Sequence, residues 1–415
     1  MIAGLFISIS ALVQWLFTIW FRLQMRARPK PEALPADQQH STWIVMSVRG
    51  ADPTLADAVE SLLNQDFQQY RVCFVVDNES DPASKVLRDA IPQKDVDRVT
   101  IRHLQTPLKN CTLKCSAIAE GVEYVLGFDP DVEYFVMVDA DSKPPANMLA
   151  TLAGALYADK SIGLASGNQW FEPDAPATAG SIVRSMWYAG ALFFSMLFNN
   201  PWAGAYAMRA SDIRKTGLID NWRQSAVDDG PLKALLAEHG LATRSLPGMV
   251  VVNRESCSLG YVTRWMTRIL TWSKIHEPAF WLTAFQMTYA TSLIVAAFGT
   301  LFWGIFTANG ALILWTSIAL VASGILSVLA WVTIRKTVLE TSESASAVKA
   351  IGLPRAVAAL LLVVVAQLVY TIACVGAIFN RKVKWRGIEY SVSGKGVSLK
   401  EYVPFSGPSN SRNSI

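Results

Sequence analysis

The sequence predicts an α/β domain with a largely parallel sheet, carried on transmembrane α-helices, and three observations lead there. Of 415 residues, 52% are hydrophobic and only 17% charged, too few charges to cover a soluble protein of this size, so a membrane class is favoured. Charge is absent from residues 1–21, 279–306, 310–334 and 356–380, each long enough to cross a hydrocarbon core of roughly 30 Å at ~1.5 Å per residue. Between the first and second of these, short apolar runs of β type alternate with helical spacing, the pattern of a parallel α/β sheet.

Segment 1–21 reads as an N-terminal transmembrane anchor. No basic residue precedes its apolar run, as one would in a secretory signal, and Arg22, Arg26, Arg28 and Lys30 follow it. The positive-inside rule then puts the N-terminus outside and the large domain in the cytoplasm, in a protein of the cell (inner) membrane. Residues 22–40, basic and then proline-rich, read as a linker to a domain over 41–278. Five cysteines (Cys73, Cys111, Cys115, Cys257, Cys374) are an odd number without paired spacing. Four lie in the expected cytoplasmic part and one in a span, so free thiols are expected; Cys111 and Cys115 could be half a metal site, but no His or second Cys pair accompanies them.

Within the domain, Trp43–Val48 is an apolar run ending in Arg49-Gly50-Ala51-Asp52, followed by helical spacing at Leu55, Val59, Leu62 and Leu63. Arg71–Val76 ends at Asp77, and Tyr134–Val138 ends at Asp139. Ligands of parallel sheets bind beyond the carboxyl ends of the strands, so Asp52, Asp77 and Asp139 are placed to meet one ligand. Residues 185–208 also lack charge, but Asn199-Asn200-Pro201 interrupts them. A single crossing there would separate Asp139 and Asp141 from Asp228 and Asp229. An interfacial or buried helix is expected instead, with Arg184, Trp187, Tyr188 and Trp202 suited to a headgroup boundary.

Three spans are expected over 279–380, then a tail, 381–415, that is basic at first and Ser/Asn-rich and disordered from Ser406. Three spans after a cytoplasmic domain put that tail outside, whereas Arg381, Lys382, Lys384 and Arg386 favour the cytoplasm. A re-entrant segment, or pairing of the charges with protein or headgroups, reconciles the two.

Asp139-Ala140-Asp141 follows a β-type run and precedes Pro144-Pro145. Two carboxylates one residue apart at a strand end can share a divalent ion and a ribose, because oxygen ligands suit Mg²⁺ or Mn²⁺. Singly, such features are commonplace: acidic loop pairs are usually solvated turns, Lys114 a surface lysine, and Asp228-Asp229 a cap for a helix at Pro231. Their order is more specific. Asp77, Lys114, Asp139-Ala140-Asp141, Asp228-Asp229 and Tyr261-Val262-Thr263-Arg264-Trp265 before apolar spans resemble glycosyltransferase family 2, and within it the membrane-bound ceramide glucosyltransferase-like branch. Asn64-Gln65-Asp66-Phe67, Leu113-Lys114-Cys115-Ser116-Ala117, Asn253-Arg254-Glu255 and Trp385-Arg386-Gly387-Ile388-Glu389-Tyr390 extend the likeness from Trp43 to Tyr390.

The resemblance implies a GT-A-type (Rossmann-like) nucleotide-sugar domain. It implies that Asp77 contacts a uracil, Lys114 the base or diphosphate, Asp139 the ribose and Asp141 the metal, Mg²⁺ or Mn²⁺. Asp229 would be the general base, and Arg264 and Trp265 would close over diphosphate and acceptor. Implied partners are a UDP-sugar donor, a membrane lipid acceptor of ceramide or diacylglycerol type and the lipid bilayer, with no nucleic acid. The implied reaction is inverting transfer of a hexose, glucose foremost, to give a β-glycolipid. Tyr261 stands where the family has Gln or Arg, and the family's acidic triplet reads Asp228-Asp229-Gly230.

The residue chemistry agrees. A carboxylate can take the acceptor proton, and a metal on Asp141 with cations at Arg264 and Arg268 can compensate a leaving diphosphate. Arg264 and Arg268 share a helical face, though positive-inside anchoring with Lys274 explains them equally. Trp265 is an acceptor platform or a membrane-belt tryptophan, and His103 and His276 show no ligand spacing. A processive polysaccharide synthase would need more spans for a polymer channel. A transporter would carry ionisable residues inside its spans, and a non-catalytic membrane relative would have lost a carboxylate.

Overall fold

The computed structural model describes residues 2–28, 32–173, 176–342, 351–394 and 396–407; Lys30 and the end of the Ser/Asn-rich tail lie outside them. The chain opens with α1 (Ile2–Ala27), which runs past the uncharged stretch through Arg22 and Arg26. Then β1 (Thr42–Val48), α2 (Leu55–Leu63), β2 (Tyr70–Val76), α3 (Ala83–Ala90), β3 (Val99–His103), α4 (Leu113–Phe128), β4 (Tyr134–Val138), α5 (Met148–Ala158) and β5 (Ile162–Phe171) alternate. Next come α6 (Ala179–Phe198), β6 (Ala205–Arg209), α7 (Ala210–Thr216), α8 (Leu218–Trp222), α9 (Leu232–Glu238) and β7 (Ala242–Asn253). Four long helices follow, α10 (Leu259–His276), α11 (Phe280–Phe306), α12 (Gly310–Thr341) and α13 (Leu353–Phe379). Three short strands come last, β8 (Lys382–Trp385), β9 (Ile388–Ser393) and β10 (Gly396–Leu399).

Strands β1–β7 form one mixed sheet in the order β3-β2-β1-β4-β6-β5-β7, parallel except for β6, which runs antiparallel to β4 and β5. The fold is thus the Rossmann-like α/β domain that the alternation predicts. Successive side chains of a strand point to opposite faces, and both faces here are covered. Trp43, Val45, Cys73 and Val75 enter the core on the α4 side, while Ile44, Met46, Val72 and Phe74 enter the other with α2 and α5. Burial on both sides is why these strands read as nearly unbroken apolar runs.

Strands β8–β10 make a separate antiparallel sheet. Val383, Ile388, Tyr390 and Val392 join the same core as α4 and α8. The tail therefore lies on the same side of the helices as the α/β domain.

Among the described residues five helices are long and apolar enough to cross a membrane: α1, α6, α11, α12 and α13. They sit differently. α6 links β5 to β6, neighbours in one sheet, and ends at Asn199 in a left-handed conformation (φ 51°). It is tied to its neighbours by the Tyr370 hydroxyl donating to the Val183 carbonyl and the Trp331 indole donating to Ser185 Oγ, both at 3.1 Å. α11 and α12 form an antiparallel hairpin, Gly304 facing Ile313. α1 lies along α12, with Gly4 beside Ala319 at one end and Arg22 and Arg26 both paired with Glu340 at the other (2.6 and 2.8 Å).

α13 packs against both helices of that hairpin. Leu360 abuts Gly324 and Arg355 lies over Trp331 of α12, while Gln367 Nε2 donates to the Met287 carbonyl of α11 at 3.0 Å. Both its ends are tied to the domain: Arg355 pairs with Glu172, just past β5, at 2.6 Å, and Lys274 of α10 donates to the Ala377 carbonyl at 2.6 Å.

Candidate active site

Three segments distant in sequence meet at Lys114. Thr112 caps α4, its Oγ1 accepting from Cys115 N–H, and so fixes Lys114 in the first turn. Lys114 Nζ lies 2.5 Å from Asp139 Oδ1, beyond β4, and 2.7 Å from Asp228 Oδ1. Burial alone would lower the lysine pKa, but the two carboxylates outweigh it and push it up, so the side chain stays an ammonium. Asp228 is also saturated: Tyr206 Oη donates to its Oδ2 at 3.1 Å, and the Trp222 indole donates to its carbonyl at 3.0 Å.

Asp229 is half-buried and far less engaged, its Oδ2 accepting one bond from Ala203 N–H at 2.8 Å. Burial, then the neighbouring charge of Asp228, push its pKa up to about 7. A carboxyl poised there can accept a proton near neutral pH.

Asp141 is exposed and accepts no hydrogen bond among the described residues. The loss of water around it, then Asp139, push its pKa up to about 6. Two cations face these acids. Arg268, on α10, is packed over the Trp385 ring at 5.3 Å, and its Nη1 is buried without a hydrogen-bond partner. Burial pulls its pKa down to about 10, with Arg386 adding to the fall. Arg386 pairs with Asp52 Oδ2 at 2.5 Å and donates to the Arg49 carbonyl at 2.7 Å, within the field of Asp141 and Asp139. It stands at the tip of the β8–β9 hairpin, where Arg386 and Gly387 both have positive φ (47° and 81°). Such a two-residue turn matches the strand twist and projects its first side chain from the sheet end.

Asp77 ends β2, separated from β4 by β1 alone, roughly 10 Å across at ~4.8 Å per strand. It is sealed. Its Oδ2 lies 2.5 Å from Arg49 Nη1 and accepts from Asn78 Nδ2 (2.8 Å), Phe405 N–H (2.9 Å) and the Tyr402 hydroxyl (3.3 Å). Its Oδ1 is buried without a partner.

On the side of α6 and α10 an aromatic wall borders the site. Trp265 packs edge-on against Phe171 and Trp187, each at 5.5 Å, and Phe171 also meets Tyr188 at 4.8 Å. Tyr188 lies within electrostatic range of Asp229.

Of the residues read from the sequence, Lys114, Asp139, Asp141, Asp229 and Arg268 are brought together. Trp265 is in the adjoining wall, and Asp77 is two strands away and covered. Arg264 is exposed and makes no hydrogen bond or ion pair among the described residues. Sequence reasoning passed over Arg386, whose Arg-Gly turn between two β-type runs was the available signal, and the tail residues Tyr402 and Phe405, which carried none. All five cysteines are buried and free. His276 accepts from Ala226 N–H, and burial holds it neutral with a pKa of about 4.

Residues 43–185 match the family model described as glycosyl transferase family 2. No curated protein matches the chain. Among solved structures, the chain is similar to a mannosyltransferase from Pyrobaculum calidifontis, in complex with GDP-Man and Mn²⁺, at 14% identity and a TM-score of 0.47, covering 91% of this chain and 98% of that one. It is also similar to glucosyl-3-phosphoglycerate synthase from Mycobacterium tuberculosis, in complex with Mn²⁺, UDP and glucosyl-3-phosphoglycerate. There the identity is 13% and the TM-score 0.37, over 57% of this chain and 81% of that one.

Proposed function

We propose that this chain is a membrane glycosyltransferase that moves a hexose from a UDP-sugar to the hydroxyl of a membrane lipid with inversion, in the manner of the ceramide glucosyltransferase-like branch. The observation that carries the reading is the clamp at Lys114, which ties Asp139, two residues before Asp141, to Asp228, next to Asp229. The family match over 43–185 supports it.

Asp77 and Asp139 stand a nucleoside's length apart, so the base lies toward β2 and the ribose and diphosphate toward β4. A divalent cation fits the diphosphate end: Asp141 offers an accessible hard oxygen and has no competing hydrogen bond. Among the described residues no group of three or more His, Cys, Asp or Glu could hold a metal unaided. Mg²⁺ or Mn²⁺ would be held by Asp141 and would supply charge neutralisation for the leaving group. Arg268, with its free buried N–H, and Arg386 complement that charge. Arg264, exposed one turn before Arg268, closes over bound donor in this reading.

Asp229 takes the acceptor proton, and the freed oxygen attacks the anomeric carbon from the face opposite the diphosphate, which turns an α-linked donor into a β-glycoside. The acceptor approaches along the wall of Trp265, Trp187 and Tyr188 from the α6 side. α1, α11 and α12 cross the bilayer, while α6 and α13 lie at its surface under the domain. This arrangement leaves domain and tail together in the cytoplasm, in accord with Arg381, Lys382 and Lys384.

Purified protein in lipid nanodiscs, given Mn²⁺ and a panel of nucleotide sugars, tests the donor class. Release of UDP from one or more UDP-sugars is expected, and absence of turnover with every nucleotide sugar overturns the reading.

A further inference from the structure

The segment Glu401–Gly407 has no place in the chemistry described so far, yet it is bonded into the donor end of the site. It leaves β10 anchored by Leu399 N–H donating to the Lys109 carbonyl at 2.7 Å. Beyond that point the Tyr402 hydroxyl and the Phe405 N–H both donate to Asp77 Oδ2. Arg49 Nη2 donates to the Val403 carbonyl at 2.8 Å, and Asn78 Nδ2 to that of Phe405 at 3.3 Å.

The Phe405 ring is seated on Gly50, where φ is +77° and a Cβ would lie 2.7 Å from the ring tip. A residue with a side chain there would be strained and would expel the ring. Arg49 stacks over the same ring at 5.4 Å. The result is a sealed Asp77, its side chain 1% exposed, with one carboxylate oxygen saturated and the other buried and unpaired. A buried acceptor without a donor is costly, and a base with a ring N–H would satisfy it.

We propose that Tyr402–Phe405 is an autoinhibitory occupant of the nucleobase subsite. The Phe405 N–H gives Asp77 the donor that a base imide would give, so tail and nucleotide compete for one carboxylate. The inference rests on the reading that Asp77 marks the base end of a nucleoside-diphosphate site. A base carrying a ring N–H, as uracil does, displaces the tail and pairs with Asp77; cytosine sets a ring lone pair against the carboxylate beside its amino donor and so competes poorly.

The test uses the full chain in nanodiscs and a chain ending at Leu399, with UDP and CDP binding measured by calorimetry in Mn²⁺. Truncation should tighten UDP by about tenfold, the equivalent of one to two hydrogen bonds of competition, and leave CDP weak. Tyr402→Phe, which removes one hydroxyl and leaves the backbone intact, should tighten UDP by a few-fold and serves if the truncated chain folds poorly. A spin label at exposed Ser406, introduced as Ser406→Cys, should gain mobility when UDP is added and not when CDP is. Unchanged or weaker UDP binding by the altered chains, with binding by the parent intact, overturns the autoinhibitory contact alone. Failure of the parent and both variants to bind any nucleoside diphosphate removes the donor reading and this inference with it.

Discussion

Asp229→Asn isolates the proposed base. Asparagine keeps the size of the side chain, and its amide oxygen can accept the Ala203 N–H bond that Asp229 Oδ2 now takes at 2.8 Å, so the local fold should persist. What is lost is proton acceptance at neutral pH, normally worth 10²–10⁴-fold, or about 3–5 kcal/mol of barrier at ~1.4 kcal/mol per decade. The pKa adds a second signature. Lys114 and Asp139 also face Asp228 and Asp229, and burial with the Asp228 charge places Asp229 at about 7. As a base it works when deprotonated, so activity should be lost as pH falls through 7. With a pKa of about 7 the ionised fraction is about one-tenth at pH 6 and nine-tenths at pH 8, a rise of about tenfold. The assay is initial transfer rate at saturating donor from pH 5.5 to 8.5, with UDP-sugar affinity measured alongside. Asp228→Asn should cost less in rate, because Asp228 is committed to Lys114 and Tyr206. Full activity in Asp229→Asn, or the larger rate loss in Asp228→Asn, would refute the assignment.

Other outcomes follow from the same geometry. Asp141→Ala should abolish transfer and Mn²⁺-dependent UDP binding in calorimetry, and Asp139→Ala should weaken donor binding through the lost ribose contact. Arg268→Ala should raise the donor KM by about 10–100-fold, the range of one or two charge-assisted bonds, whereas Arg264→Ala should act mainly on kcat. Phe194 and Phe198 are stacked at 6.1 Å and both 54% exposed on α6. Phe194→Glu should therefore reduce transfer to lipid more than hydrolysis of donor; the fully buried Leu192 would report on folding instead. Because the five native cysteines are buried, Ser393→Cys and Thr307→Cys, both at exposed positions, can be labelled cleanly in intact cells. An impermeant maleimide should react at 307 and not at 393.

The acids proposed to hold the donor were legible because they follow apolar strands, and strand ends in a parallel sheet share one edge. Asp77, Asp139 and Asp141 are placed there by local pattern alone, and Asn199-Asn200-Pro201 marked the end of α6 and its return to the sheet. The role proposed for Lys114 came only from order, since nothing local distinguishes it from a surface lysine. Hydropathy reads α13 as a span; the surface placement proposed for it rests on Arg355 reaching Glu172 and on Lys274 donating to the Ala377 carbonyl, contacts that composition cannot register. Those contacts join residues more than a hundred positions apart. Arg386 was hidden for the same reason: within a run of tail cations it reads as a topology signal, and only the β8–β9 turn carries it to Asp52.

The central claim is sugar transfer from a nucleotide to a lipid at the Asp141–Asp229 site. Its most direct test is to incubate wild-type protein and Asp229→Asn in nanodiscs with radiolabelled UDP-glucose, Mn²⁺ and a membrane lipid extract. The organic phase is then analysed by mass spectrometry. The account predicts label in a lipid bearing one β-linked hexose, with wild type exceeding the variant by at least about a hundredfold. Label confined to a water-soluble polymer, or equal lipid labelling by the two proteins, would contradict it.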